Sequence, residues 1–255
     1  MAVKDGLRGS WRARRFTRLV APPPEAEPHE GETLAERYSR MAHEGWRPAG
    51  VDLGLRGLDV AIAAVALFLL SPLLVLVWLL VRLDSRGPAV YRGLRVGKAG
   101  RVFTMFKFRT LQVDAESRLG PYLGAELTRL TEGETTRVGR RLRAAHLDEL
   151  PQLFNVLAGD MSLVGPRPIR PAFFEQLCEE IPQYWQRLVV RPGLTGFAQL
   201  RMARDMSWAE KLAHDLEWLA DRSVGLYLSL IVATAWRVLQ RGAGDVAAMR
   251  RDGSA

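Results

Sequence analysis

The chain holds one cysteine, Cys178, in 255 residues. That excludes an intramolecular disulfide and any cysteine-based metal cluster, and leaves the thiol as a buried spectator. The four histidines, His29, His43, His146 and His214, are scattered without metal-ligand spacing, so no histidine metal site is evident. Negative charge is in deficit: 28 Asp and Glu stand against 36 Lys and Arg, a formal net charge of +8. The balance favours anionic partners, whether nucleic acid, phosphorylated small molecules or an acidic membrane surface. No nucleic-acid recognition motif accompanies the charge, so nucleic acid is not expected as a partner.

Apolar residues are also scarce at the start. Residues 1–50 carry a basic run (Arg8, Arg12, Arg14, Arg15, Arg18), then Pro22-Pro23-Pro24, then acidic and polar residues. This is the composition of a loosely ordered arm. Within it Thr33 to Ala42 has the pattern of a short helix, and the basic run is either a lipid contact or a solvated tail. From Leu58 to Val81 the composition changes abruptly, with Asp59 the only charge. At about 1.5 Å per residue the run is long enough to cross roughly 30 Å of hydrocarbon. Two features oppose a simple crossing. Arg56 precedes the run and Arg82 and Arg86 follow it, whereas a spanning helix concentrates Lys and Arg on its cytoplasmic side. Pro72, in the middle, removes a backbone hydrogen bond, and Ser71 is placed to satisfy the carbonyl this frees. A helix that enters, breaks at Ser71-Pro72 and returns to the same face accommodates both features; a kinked span is the alternative. The run lies too far from the N-terminus, and lacks a small-residue cleavage site, for a removed signal peptide.

Beyond it, Gly87 to Arg92 reads as a turn entering a strand, Arg95 to Arg101 as a basic hairpin turn, and Val102 to Arg109 as an alternating aromatic strand. A period of two puts Met105, Lys107 and Arg109 on one face and Phe106 and Phe108 on the other. Lys107 and Arg109 suit either phosphate oxygens or a solvated surface. After a polar, helix-prone stretch, Arg137, Arg140, Arg141 and Arg143 crowd upstream of Asp148-Glu149. The helical spacing of Leu150, Leu153, Phe154 and Leu157, with a stop at Gly159, puts Asp148 at or beside a helix N-cap. Either the pair merely caps the helix and complements its dipole, or it does chemistry. Adjacent carboxylates repel unless cations or a metal offset them, as Mg²⁺ held with substrate phosphates would. A carboxylate amid cations is also a nucleophile towards a phosphate.

Gly165-Pro166-Arg167-Pro168 fixes the backbone around Arg167, either to present its guanidinium or simply to turn the chain. A second loop punctuated by Gly and Pro, Arg191 to Gln199, carries Arg191. A helix starting at Pro171 stops near Pro182, and Trp208 to Leu219 reads as an amphipathic helix. Val224 to Trp236 is apolar but too short to span, so it lies in the membrane interface or packs on the apolar run. Trp218, Tyr227 and Trp236 suit a headgroup boundary, or a plain core.

Taken together, these residues resemble the bacterial sugar transferases, also called monotopic phosphoglycosyl transferases or undecaprenyl-phosphate sugar phosphotransferases. The resemblance runs from about Asp52 to Ala243. It rests on Ser71-Pro72, Lys107-Phe108-Arg109-Thr110, Leu142-Arg143, Leu147-Asp148-Glu149-Leu150-Pro151-Gln152, the stretch Gly159 to Pro168, and Arg191-Pro192-Gly193-Leu194-Thr195-Gly196. Nothing before Asp52 resembles the four-helix N-terminal region of the larger members, so the resemblance is to the compact form. It implies an α+β, mainly helical, monotopic membrane protein with a re-entrant helix broken at Ser71-Pro72, a small strand and hairpin element, and interfacial amphipathic helices. The implied organisation is an N-terminal arm over 1–50, the re-entrant helix over 51–86, a cytoplasmic catalytic domain over 87–222, and a C-terminal interfacial helix and tail over 223–255.

The activity it implies is transfer of a sugar 1-phosphate from a UDP-sugar to polyprenyl (undecaprenyl) phosphate with release of UMP. This would be the first membrane step of exopolysaccharide, O-antigen or glycoconjugate assembly, at the cytoplasmic face of a bacterial inner membrane. In that reading Asp148 is the nucleophile that carries a phosphosugar intermediate, and Glu149 works with Mg²⁺ beside it. Lys107, Arg109, Arg143, Arg167 and Arg191 hold phosphates or nucleotide, and the protein is free to pair as a homodimer. Two places depart from the family's pattern: Glu132-Gly133-Glu134 replaces Asp-Pro-Arg, and Tyr227 and Ser229 stand where an Asp and a Lys are usual. A catalytically degenerate scaffold in a polysaccharide assembly complex is the alternative reading.

Overall fold

In the computed structural model residues 50–115, 118, 125–181, 183–201 and 206–252 are described; the basic run and the Thr33 to Ala42 helix fall outside them. Helix α1 (Gly50–Asp84, 35 residues) runs through Pro72 without interruption. Pro72 has no amide for Phe68 O, and the Ser71 hydroxyl donates to that carbonyl instead, at 2.8 Å. At about 1.5 Å per residue the helix is roughly 50 Å long, yet both of its ends lie on the same body.

Near the first end Leu55 and Ala63 enter the main core, and Arg56 donates to Val156 O (2.6 Å) and Leu157 O (3.0 Å). Asp59 is 2% exposed. It accepts from Ser162 Oγ (2.9 Å), Leu163 N (2.8 Å) and the Tyr227 hydroxyl (2.6 Å), so its charge is buried but satisfied. Near the other end Val77 and Val81 pack with Ala89, Phe108 and Leu142 in a second, smaller core, and the Asp84 carboxylate accepts from Val138 N at 3.1 Å. Between the two anchor points Phe68, Leu69, Val75 and Leu76 are exposed.

Strands β1 (Val90–Val96) and β2 (Val102–Phe108) form the expected antiparallel hairpin, with Tyr91 opposite Lys107. Helices α2 (Ala125–Gly133) and α3 (Arg137–Ala144) follow, the latter capped by Thr136, whose side chain accepts from Gly139 N. A 3₁₀ turn, Leu147–Glu149, leads into α4 (Gln152–Ala158), which Gly159 closes with φ 90°. Asp148 therefore lies in the turn before the helix rather than at its N-cap, which is Pro151.

The two Gly-Pro loops, which read as separate turns, pair with each other. Strand β3 (Ser162–Val164) lies parallel to β4 (Gly193–Thr195). The approach is too tight for side chains at the crossing: a Cβ on Gly193 would stand 2.0 Å from Gly165 N. Helix α5 (Pro171–Glu180) packs against β1, followed by α6 (Phe197–Arg201) and α7 (Trp208–Asp221), which Ser207 and Glu210 start with a reciprocal capping box. Helix α8 (Val224–Asp252) continues well past the expected Trp236. Trp218 and Tyr227 are 3% and 0% exposed, so neither occupies a headgroup boundary: both turn inward because Tyr227 reaches Asp59 and Trp218 packs beside it. Trp236 is exposed.

Candidate active site

A cavity of about 1340 Å³ opens between the end of α1, the hairpin, α3 and the Asp148 turn. Its chemistry comes from four elements. Lys107 extends from β2; Arg143 comes from the last turn of α3; Asp148 and Glu149 come from the 3₁₀ turn; Arg167 comes from the loop after β3. The turn is entered through His146 in left-handed geometry, φ 55°. The Arg167 loop is held by Gly165 N donating to Thr195 O and Gly193 N donating to Pro166 O, both at 2.8 Å.

Behind that loop Arg187 donates to Arg167 O at 2.8 Å while pairing with Asp215 at 2.8 Å. Arg187 and Asp215 are both nearly inaccessible. Burial pushes the Asp215 carboxyl up, to about 6, against the pull of Arg187.

The two carboxylates sit in different electrostatic settings. One oxygen of Glu149 takes Lys107 Nζ at 2.6 Å and Arg167 Nη2 at 3.2 Å. Burial alone would raise its pKa, but Arg167 and Lys107 together bring it down to about 2. Asp148 is 7% exposed, and among the described residues its carboxylate accepts no hydrogen bond and closes no ion pair. Burial raises its pKa, with Lys107 and Arg143 opposing and Glu149 reinforcing the shift. The Lys107 ammonium is pushed down, first by burial, although Glu149 pulls the other way. Neighbouring acids driven in opposite directions are how one site holds two carboxyl roles at once.

The structure thus brings Lys107, Arg143, Arg167, Asp148 and Glu149 to one cavity. Arg109 also borders it, but the residue is 6% exposed and its Nε and Nη2 donate to backbone carbonyls, Pro88 O at 2.7 Å and Ser85 O at 2.8 Å. Arg191 is not among the lining residues; its Nε donates to Gly159 O at 2.8 Å. Asn155, not singled out from the sequence, is fully buried. Its amide accepts from Phe106 N (3.0 Å) and donates to Thr104 O (2.7 Å), fixing α4 to β2. A polar residue between Leu153 and Val156 on a core face was the signal. The departures at Glu132, Glu134, Tyr227 and Ser229 all lie outside the cavity.

Among the described residues no group of three or more His, Cys, Asp or Glu side chains could cage a metal. Two adjacent carboxylates do fit a Mg²⁺ that arrives with substrate phosphates, because that ion uses one or two protein carboxylates and completes its shell with phosphate and water. Among the described residues Asp148 has no competing hydrogen-bond partner, and both cations on Glu149 share a single oxygen.

An exposed apolar helix, consistent with membrane association, lies beside a cationic, carboxylate-bearing cavity. Comparison makes the class specific: the family model described as bacterial sugar transferase matches residues 52–241, and the chain belongs to that family. It is 40% identical over 201 residues to a UDP-glucose:undecaprenyl-phosphate glucose-1-phosphate transferase of Caulobacter vibrioides, covering 74% of this chain and 73% of that one. It is 38% identical over 187 residues to a UDP-N-acetylgalactosamine-undecaprenyl-phosphate N-acetylgalactosaminephosphotransferase of Aeromonas hydrophila, covering 72% of this chain but only 43% of that one. An exopolysaccharide production protein of Rhizobium leguminosarum bv. phaseoli is 37% identical over 197 residues, 74% of this chain and 96% of its own.

Proposed function

We propose that this protein transfers a sugar 1-phosphate from a UDP-sugar to a polyprenyl phosphate, releasing UMP, through a phosphosugar carried on Asp148. The observation that carries the reading is the Asp148 carboxylate. It is buried, without a hydrogen-bond partner among the described residues and raised in pKa by burial, and it lines a cavity whose cations would offset a diphosphate. The printed activities of the Caulobacter and Aeromonas relatives supply the substrate class.

In the first step an Asp148 oxygen attacks the phosphorus that bears the sugar. The bond from that phosphorus to the UMP oxygen breaks, and UMP leaves with the electron pair. In the second step a phosphate oxygen of the lipid attacks the same phosphorus and displaces the Asp148 carboxylate, restoring it. Lys107, Arg143 and Arg167 hold the phosphates in line. Glu149 keeps Lys107 and Arg167 in register, and with Asp148 it would hold Mg²⁺, which supplies Lewis-acid charge neutralisation when bound.

The site works at the cytoplasmic face of the inner membrane, with α1 dipping into the bilayer and returning. The attachment of both ends of α1 to one body supports that path over a crossing. Release of UMP from a panel of UDP-sugars, with polyprenyl phosphate and Mg²⁺, tests the activity. Asp148→Asn is expected to lower turnover at least about a thousandfold, and unimpaired turnover by that variant would sink the proposal.

A further inference from the structure

Arg167 stands between two prolines, Pro166 and Pro168. Neither has an amide to donate, so this part of the loop is gripped through its carbonyls. Pro166 O accepts from Gly193 N at 2.8 Å, which belongs to the close approach of β3 and β4. Arg167 O accepts from the side chain of Arg187, also at 2.8 Å. The second grip comes from outside the strand pairing, from the 3₁₀ segment Tyr184–Val189.

The Arg187 guanidinium is itself held from several sides. Its Nη2, which donates to Arg167 O, lies 2.8 Å from Asp215 Oδ2 on α7. Its Nη1 donates to the Tyr184 hydroxyl at 2.5 Å, and the group lies over the Tyr184 ring, 4.9 Å from its centre. Arg187 and Asp215 are buried, and neither lines the carboxylate cavity.

Stability alone does not account for such a pair. Desolvating two charges costs several kcal/mol per ion, and apolar side chains of similar volume often hold a fold as well or better. Apolar side chains cannot, however, donate to a carbonyl. The bond to Arg167 O is charge-assisted, buried and directional. The contact of Arg167 with Glu149, at 3.2 Å from a half-exposed side chain, is too solvated to fix the loop from the front. Arg167 is positioned from behind.

We propose that Arg187 and Asp215 are positioning residues for the transfer: Asp215 orients the Arg187 guanidinium, which fixes the Arg167 backbone so that the Arg167 side chain meets the substrate phosphate in the geometry of the transition state. This rests on the transferase reading and adds to it two side chains that touch neither substrate nor reacting atoms. A guanidinium displaced by a fraction of an ångström still attracts a phosphate but no longer matches the charge that develops during transfer. The effect therefore falls on kcat more than on KM.

The full-length protein in detergent micelles, assayed for UMP release from a panel of UDP-sugars with polyprenyl phosphate and Mg²⁺, provides the test. Arg187→Met combined with Asp215→Leu removes both charges together, so that neither is left buried alone. This paired variant should keep its thermal midpoint and hold KM for the UDP-sugar within about threefold, while kcat falls roughly tenfold or more. Tyr184→Phe, which deletes a single atom from the grip, should lower kcat about threefold and serves should the paired variant fold poorly. In an Arg167→Ala background, followed as single turnovers with enzyme in excess, neither change should lower the rate further by more than about twofold, because the side chain it acts through is gone.

Unaltered kcat in both variants, or a loss that recurs undiminished in Arg167→Ala, overturns the positioning role and leaves the transferase reading in place. A loss of kcat that only follows a fallen thermal midpoint in both variants assigns the pair to the fold and overturns it as well. A wild type that releases no UMP from any UDP-sugar removes the transferase reading, and this role with it.

Discussion

Glu149 gathers Lys107 at 2.6 Å and Arg167 at 3.2 Å on one oxygen, which makes its charge a stability determinant as well as a functional one. Its carboxyl is held at about 2, against an ordinary value of 4.5. A depressed carboxylate stabilises the fold above its unfolded pKa and loses that contribution as pH falls through its folded pKa, because the unfolded chain then binds the proton more readily. The window is therefore pH 4.5 down to about 2, and the contribution is at most about 3 kcal/mol. Denaturant titrations across that window should show a shallower acid limb for Glu149→Gln than for the wild type; equal slopes would reject the assignment. Both acids, and Lys107, Arg143 and Arg167, were legible from charge density and motif spacing. Arg109 and Arg191 were legible only as cations. Each ends on backbone carbonyls, Pro88 O and Gly159 O respectively, and which carbonyls come within reach of a guanidinium is decided by packing between distant segments.

Helices α1 and α8 meet at a buried polar contact, which is one of the ties that hold the apolar helix. Tyr227, at the position where an acid is usual in the family's pattern, donates to Asp59 at 2.6 Å. Burial, and then Asp59, push the phenol's pKa upward, so it keeps its proton. Tyr227→Phe removes one of the donors to a carboxylate that is 2% exposed, and should cost about 1–3 kcal/mol. Thermal denaturation in detergent should show a lowered midpoint; an unchanged one would mean that Ser162 and Leu163 suffice. Helices α5 and α7, and the apolar extent of α1, could be read from apolar length, caps and breakers; the passage of α1 through Pro72, the short α6 inside an expected loop and the reach of α8 beyond Trp236 could not. The β3–β4 pairing could not: strands of three residues carry no periodicity, and their partners lie about thirty positions apart, brought together by a glycine-to-glycine approach. Phe154 was misleading in the other direction, because helical spacing counts it with the core while it is 52% exposed and lines an apolar cavity that α1 also lines.

At the scale of the whole molecule, the attachment of α1 constrains its path through a bilayer. Arg56 and Asp59 tie one end to α4, β3 and α8, and Asp84 ties the other to α3 of the same body. Placing those ends on opposite faces would either strip Asp59 of its three donors or draw the polar backbone of the domain into hydrocarbon, where it could not be satisfied. The proposed dip and return would leave both anchors intact and submerge only the exposed apolar middle. The scarcity of cysteine makes this measurable. Cys178 is 1% exposed, and burial pushes its thiol up to about 12, so the native protein offers almost no reactive thiolate. Leu53→Cys and Arg86→Cys place new thiols at the two exposed ends of the helix. A membrane-impermeant maleimide should label both in inverted inner-membrane vesicles and neither in right-side-out ones. Labelling from opposite sides would establish a crossing helix, and with it a domain that must come apart around Asp59 to insert.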